Sequence, residues 1–124
     1  MDQESRDRMF ERASELGRVI SQTPEYAYLQ SAQREIRDDE PAVVKLDRLR
    51  ELQEQMLELV GRHEEPPEEL GEEFMKLQEE IQGSTRYQSL ISAQANFDKL
   101  MERVYHSIGK GIQKGDESPI IIPT

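Results

Sequence analysis

The sequence contains no cysteine and no tryptophan, and aromatic residues make up only 6% of its 124 positions. The absence of cysteine excludes disulfide bonds, thiol catalysis and a cysteine-ligated metal cluster within this chain. No run of about 18 apolar residues is present, so no segment is expected to enter or span a membrane. The first ten residues, MDQESRDRMF, are charged and contain no apolar run, so we expect no secretory signal and a cytoplasmic protein.

Motifs that carry chemistry are also missing. The sequence has no G-x-S-x-G motif and no glycine-rich phosphate-binding loop. Of the two histidines, His63 lies in a polar stretch, and His106 follows Glu102 by four residues. Di-iron bundles space such a pair by three and repeat it, whereas this pair occurs once. We therefore expect a protein that is not an enzyme and needs no cofactor, with a metal-binding bundle as an alternative.

The composition indicates a single domain of long helices. Hydrophobic residues make up 35% of the chain and charged residues 34%, which suits thin helices better than a compact globule. Helices of this kind bury little surface alone. We therefore expect some apolar surface to be covered by a second copy or by another partner.

The net charge of −10 is concentrated in one quarter of the chain. Residues 51–82 hold eleven glutamates against Arg62 and Lys76, a net charge of −9, and the remainder holds 15 acidic and 14 basic residues. This distribution would repel duplex DNA. The acidic quarter is either a solvated pair of helices or a docking surface for a basic partner.

Proline and hydroxyl residues divide the chain into helices. Proline suits the first turn of a helix, and Thr23 and Ser84 can cap the helices that follow them. The apolar spacing of three and four then predicts five helices and no strand, at about residues 5–21, 24–38, 41–61, 66–83 and 85–112. The fold class is all-α: an elongated bundle with an antiparallel hairpin of helices three and four and a long C-terminal helix. Residues 1–112 form the domain, and residues 113–124, with Ile120–Ile122, form an extended or disordered tail that could dock on a neighbour.

One stretch occurs twice. Residues 16–36 and 77–97 match at an offset of 61 positions, with Tyr26 aligned to Tyr87 and the tripeptide Ser-Ala-Gln in both. Internal repeats of this kind reveal architecture. Each copy reads as a helix end, a hydroxyl cap and a new helix. We therefore expect the two tyrosines to occupy equivalent, largely buried places near helix starts.

Two predicted helices carry long apolar stripes, and one carries a row of cations. The stripes form oligomer or partner contacts or belong to the core of one chain, and they comprise Leu49, Leu52, Met56, Leu59, Phe97, Met101, Val104 and Ile108. Opposite the second stripe lie five basic residues: Lys99, Arg103, His106, Lys110 and Lys114. This row is a solvated helix face or a surface for RNA or an acidic partner, so direct RNA binding is a further alternative.

The order of these elements resembles the YlbF/YmcA family of small helical bacterial proteins. The resemblance is carried by A-x-x-L-x-x-x-I from Ala13 to Ile20, T-P-E-Y-x-x-L-x-x-A from Thr23, and S-x-x-Y-x-x-L-x-x-A-Q-x-x-F from Ser84. It covers about residues 8–112 and implies a non-enzymatic, all-α regulatory adaptor that forms homodimers or larger oligomers. Family members act in a complex with a third protein as regulators of competence, sporulation and biofilm formation. They serve as specificity factors for the membrane-bound endoribonuclease RNase Y in messenger RNA processing. Some proteins of that complex supply cysteines to iron–sulfur clusters, a property that cannot extend to this chain.

Overall fold

The structure, a computed structural model, describes residues 1–117, and these residues form five α-helices without a strand. The all-α prediction is therefore confirmed. The prediction for Ile120–Ile122 lies outside the described residues. The helices are α1 (Gln3–Ile20), α2 (Pro24–Arg37), α3 (Glu40–Gly61), α4 (Glu68–Gln82) and α5 (Thr85–Glu117).

Side-chain caps fix the starts of four helices. Thr23 accepts a hydrogen bond from the backbone N–H of Tyr26 (3.2 Å), and Ser84 accepts one from that of Tyr87 (3.4 Å). Asp2 and Asp39 cap α1 and α3 in the same way. Each such bond satisfies a backbone donor that the first helical turn leaves unpaired. α4 begins after Pro67 without a side-chain cap, with two glutamates in its first turn near the positive end of the helix dipole.

Helix α5 continues beyond the boundary predicted from the sequence. It reaches Glu117, so residues 113–117 are helical and the predicted extended tail from residue 113 is wrong for them. Glycine costs about 1 kcal/mol in a helix interior relative to alanine, and Gly109 and Gly111 suggested an early end. Each added helical residue also gains one backbone hydrogen bond, which lets a long helix propagate through such positions. At 33 residues, α5 is about 50 Å long.

The packing of α2 against α5 forms the centre of the protein. Leu29 and Ala32 of α2 meet Ala93 of α5, and the half-buried Leu90 and Phe97 pack against this cluster. The Tyr26 and Phe97 rings lie 5.7 Å apart between centroids, in a tilted arrangement. At the other end of α2, Ile36 lines the same cleft as Tyr87. The two helices are therefore antiparallel.

This pairing joins the two copies of the sequence repeat. Tyr26 and Tyr87 are equivalent in the repeat, as are Ile36 and Phe97, and each tyrosine lies beside the apolar residue that ends the other copy. The two copies thus meet about an approximate two-fold axis. Both tyrosines follow their caps at the same distance and both are half-buried. Their equivalence is as predicted, whereas their burial is less complete than expected.

The hairpin of α3 and α4 forms the second packed unit. Leu52 is completely covered, at 0% exposure, and Ile81 is buried at 5%. Arg48 of α3 donates two hydrogen bonds to Glu73 of α4, from Nε to Oε1 at 2.7 Å and from Nη2 to Oε2 at 3.0 Å. Lys45 and Glu80 form a second cross-link at 3.4 Å. These pairs show that α3 and α4 are antiparallel, as predicted.

Helix α3 ends in a left-handed residue that is not glycine. Gly61 is its last helical residue, and His63, two positions later, has a φ of 59°. The N–H of His63 donates to the carbonyl of Val60, and the N–H of Glu64 donates to that of Leu59. This is the Schellman pattern, which usually places glycine at the left-handed position. The predicted terminator Gly61 therefore lies two residues before the place where glycine would relieve strain.

Replacing His63 with glycine should stabilise the protein. The left-handed conformation costs an ordinary residue about 1 kcal/mol, and glycine adopts it freely. We expect the free energy of unfolding of His63→Gly to rise by about 1 kcal/mol, with a Tm about 4 °C higher. Urea and thermal unfolding measure both quantities. As a matched control, Gln55→Gly at an exposed position inside α3 should lower the stability by a similar amount. A destabilised His63→Gly variant would contradict the assigned strain.

The Arg48–Glu73 pair should make stability depend on pH. The Arg48 guanidinium holds the pKa of the Glu73 carboxyl below its ordinary value of 4.5. A lowered carboxyl pKa contributes stability above the ordinary value, and this contribution is lost as the pH falls through the lower folded-state value. Between about pH 6 and pH 3, Arg48→Met should therefore lose less stability than the wild type. Urea unfolding across this range tests the difference, which 1 M salt should shrink because both side chains are partly exposed. Arg50→Met, which removes a pair inside α3, is the control. Equal pH profiles for the wild type and Arg48→Met would refute the coupling.

Candidate interaction surface

Charged side chains border open surfaces in residues 1–117, and one groove along α1 is lined by three carboxylates and Arg18. No group of three or more metal-ligating side chains was found among these residues. His63 and His106 are both exposed. The Glu102–His106 pair singled out from the sequence gains no third ligand from the described part of the chain. A metal centre therefore has no geometric support in this region.

Two other concave surfaces lie beside α2. A groove of about 570 Å³ runs along the α2–α5 pair, and it is lined mainly by serine, alanine and amide side chains, with Glu35 as its titratable carboxylate. A cleft of about 120 Å³ lies where α2, α3, α4 and α5 meet. There the backbone N–H of Ala42, and then Arg86, hold the pKa of Asp39 below its ordinary value. Arg86 and Asp39 lie 2.8 Å apart, so this carboxylate is already paired. The cleft thus serves to join helices.

The centre of the apolar stripe on α3 is packed within one chain. Leu52 is fully covered, and Leu49, Met56 and Leu59 are half-buried on a helix that packs on α4 and α2. Leu52 is therefore unavailable to a partner unless the hairpin opens. Two valines near the ends of the same helix, Val44 and Val60, are 61% and 60% exposed. The interface role of the half-buried residues stays a prediction.

The apolar stripe of α5 changes character along the helix. Phe97 packs against the core, Met101 and Val104 are half-buried, and Ile108 is 45% exposed. Because Tyr26 near the start of α2 lies beside Phe97, α5 extends past the end of its antiparallel neighbour. Its last turns accordingly present uncovered apolar side chains. We call this surface the α5 distal face, comprising Met101, Val104, Tyr105, Ile108 and Ile112.

The five basic residues of α5 are all exposed and follow one side of the helix. Lys99 and Arg103 border a shallow cleft of about 280 Å³ that also includes Glu25, Tyr28 and Asn96. The tyrosine is 69% exposed. A flat aromatic side chain beside two cations is an arrangement that can contact a stacked base or an acidic peptide. The structure thus brings the predicted basic residues onto one accessible surface.

Helix α1 carries a second apolar surface. None of its residues is among those predicted to form an interface. Met9, Phe10 and Val19 are 48%, 59% and 60% exposed, and α1 has no buried residue. We call this surface the α1 face, comprising Met9, Phe10, Ala13, Leu16, Gly17 and Ile20. Its spacing was visible in the sequence. The sequence could not show that no other helix of residues 1–117 packs closely on it.

Together these features define an all-helical protein whose candidate site is a surface on helices and not an enclosed pocket. The chain belongs to the family described as control of competence regulator ComK, YlbF/YmcA, whose model matches residues 9–113. The match begins inside α1 and ends inside α5, so it includes all five helices. The family resemblance seen in the sequence is confirmed, and it supports a regulatory role in competence.

Comparison with curated proteins gave no match to the chain. Within residues 1–117, no helix is both long enough and apolar enough to cross a bilayer.

Proposed function

We propose that this protein is a non-enzymatic adaptor that assembles with copies of itself and regulates by binding other proteins. Its partners are a second member of the family and the RNase Y machinery, for which it acts as a specificity factor in messenger RNA processing. The family description names control of competence, and the proposal adds the protein binding through which such control would act. Such an adaptor works in the cytoplasm and requires binding surfaces in place of catalytic residues.

The uncovered α5 distal face is the observation that carries this proposal. Three large apolar or aromatic side chains, Tyr105, Ile108 and Ile112, expose 64%, 45% and 68% of their surface along about two turns of helix. Burial of apolar area contributes about 25 cal/mol per Å², so leaving these side chains in water is unfavourable. Contiguous exposed apolar surface of this kind typically marks a protein–protein contact. An amphipathic helix face of this spacing fits a groove or another helix.

Charge supports a protein partner over a nucleic acid for this surface. The α3–α4 hairpin carries most of the negative charge, and its glutamates are largely exposed. Such a region repels phosphate and attracts basic protein segments. The distal face itself contains no acidic or basic side chain, so apolar contact would supply affinity there. Charges elsewhere would set orientation and rate of association.

Removing the apolar character of the distal face should abolish partner binding. The tagged full-length protein would be expressed in its own cells, as the wild type and as the Ile108→Glu/Ile112→Glu variant. Each form would be pulled down and the proteins bound to it identified. We expect RNase Y or a second family member to accompany the wild type and to be reduced at least tenfold with the variant. The matched control is Leu57→Glu/Val60→Glu, because these α3 residues are also apolar and largely exposed, at 72% and 60%. Circular dichroism checks that both variants remain helical.

Equal recovery of these partners with the wild type and the α5 variant would exclude the distal face as their binding site. Absence of ribonuclease components from all samples would refute the specificity-factor role and leave only the family assignment.

A second candidate function, direct RNA binding, is favoured by the exposed basic row beside Tyr28. If RNA binds there, Lys99→Glu/Arg103→Glu/Lys110→Glu should weaken binding and reduce its salt dependence. Each lost phosphate contact on a single strand lowers the slope of log K against log salt by about 0.7, so the slope should fall by about 2. Fluorescence anisotropy with a single-stranded RNA measures this. A control with the same charge change replaces three exposed arginines elsewhere: Arg8, Arg12 and Arg34. Identical affinities for the two triple variants would rule out a specific role for the basic row.

A further inference from the structure

The sequence repeat shows what the α1 face lacks. Ile81 of α4 is 5% exposed, and α4 is covered by α3. Ile20, its counterpart at the end of α1, is only half-buried, and Leu16 is 37% exposed. Among the helices of residues 1–117, none takes against the first copy of the repeat the position that α3 takes against the second. The α1 face therefore has the apolar residues of a core surface, but no described helix packs closely on it.

The total surface of the chain also exceeds that of a compact monomer. The chain exposes 10188 Å² at a mass of 14.4 kDa. A compact monomer of this mass exposes about 6,800 Å². A standard interface removes about 800 Å² from each partner. The excess is thus large enough for contact with a second copy on one face and with a different protein on another.

We propose that α1 pairs with α1 of a second copy of this chain, antiparallel and about a two-fold axis near Ala13. The inference rests on the proposed self-assembly and assigns it to one surface. It leaves the α5 distal face free for the partner protein. Three features of α1 fit a second copy as the occupant: a complementary bulge and gap, a reciprocal arrangement of charge, and a matched apolar flank.

The side chain of Phe10 forms the bulge, and Gly17 leaves the gap. They lie seven residues apart, which is nearly two turns at 3.6 residues per turn, so they share one face of the helix. A side chain at Gly17 would meet no heavy atom within 4 Å, so space is open above it. In the antiparallel pair, Phe10 of each copy lies over Gly17 of the other, with Ala13 at the crossing. Contacts in a two-fold interface are reciprocal, so one bulge and one gap on each copy suffice.

The charges on one flank follow the same register. Asp7 and Glu11 are one turn apart on a shared side, a like-charge spacing that destabilises an isolated helix. Arg18 lies on this same flank, seven residues beyond Glu11. In the proposed pair, Arg18 of each copy lies between Asp7 and Glu11 of the other. The repulsion within one α1 would thus be relieved by the second.

The other flank is apolar. Met9 is exposed there, and Leu16 lies seven residues further along the same flank. In the same register, Met9 of one copy faces Leu16 of the other. A helix of 18 residues is about 27 Å long, so the pair is a modest interface whose formation depends on concentration.

Reversing the flank charge in two separate ways tests the pairing. Arg18→Glu removes the cation from this flank, whereas Asp7→Arg/Glu11→Arg reverses two of its acids and leaves Glu15 as the third. We expect each full-length variant alone to dimerise at least tenfold more weakly than the wild type, in sedimentation velocity at low salt. Mixing the two variants restores both sets of opposite charges and should restore dimers. Arg8→Glu is the control, because Arg8 lies two residues, or about 200°, from Phe10 and faces away.

Gly17→Leu provides a steric test that separates pairing from folding. Leucine favours the helix more than glycine does, so the helical content should hold or rise. The dimer should nevertheless weaken at least tenfold, because Phe10 of the second copy loses its space. Phe10→Ala combined with Gly17→Leu exchanges bulge and gap and should recover most of the affinity.

A wild-type protein that stays monomeric at about 100 µM would overturn the proposed self-assembly itself, since a weak interface still forms at such concentrations. A dimer that no α1 variant weakens would overturn only the assignment to α1. Variants that keep the dimer but lose a ribonuclease component would show that α1 binds a different protein, which also contradicts the inference.

Discussion

The antiparallel packing of α2 on α5 is the contact on which the remaining arrangement depends. The buried cluster it forms in the described chain is small, with one leucine and two alanines at its centre. The alanines let the two helix backbones approach closely, and Leu90, Phe97 and Tyr26 extend the contact along the helices. With so little apolar surface enclosed, the free energy gained within one chain is modest. Association is therefore a reasonable source of additional stability for this fold.

The sequence predicted the elements of the fold because their boundaries are local properties. Thr23, Pro24 and Ser84 act on the first turn of their own helices, so their effect does not depend on distant contacts. The end of α5 was predicted five residues too early because glycine weakens a helix without obliging it to stop. The left-handed His63 was not anticipated, because glycine is the usual residue at that position and Gly61 stood close by.

The candidate site was harder to predict, because spacing reveals an apolar face but not what covers it. Leu52 and Ile108 belong to stripes of similar spacing, yet the first is fully enclosed and the second is nearly half exposed. The difference arises from the chain path. Helix α4 folds back along α3 and covers it, whereas α5 extends past the end of α2. The basic row of α5 was found correctly as a face because 3.6-residue periodicity alone determines it. The α1 face follows from the apolar spacing that predicts the first helix, but that spacing does not show whether another helix covers it.

The insertion of the α3–α4 hairpin between α2 and α5 has a consequence for how the chain folds. The two halves of the central contact, Ala32 and Ala93, are separated by some 60 residues, and closing so long a loop carries a considerable entropic cost. Helices α3 and α4 are joined by a short connection and can pair first through local contacts, which form fast. Their pairing brings the end of α2 and the start of α5 together and shortens the effective loop. In this order of events, early formation of the acidic α3–α4 hairpin would speed the packing of α2 on α5.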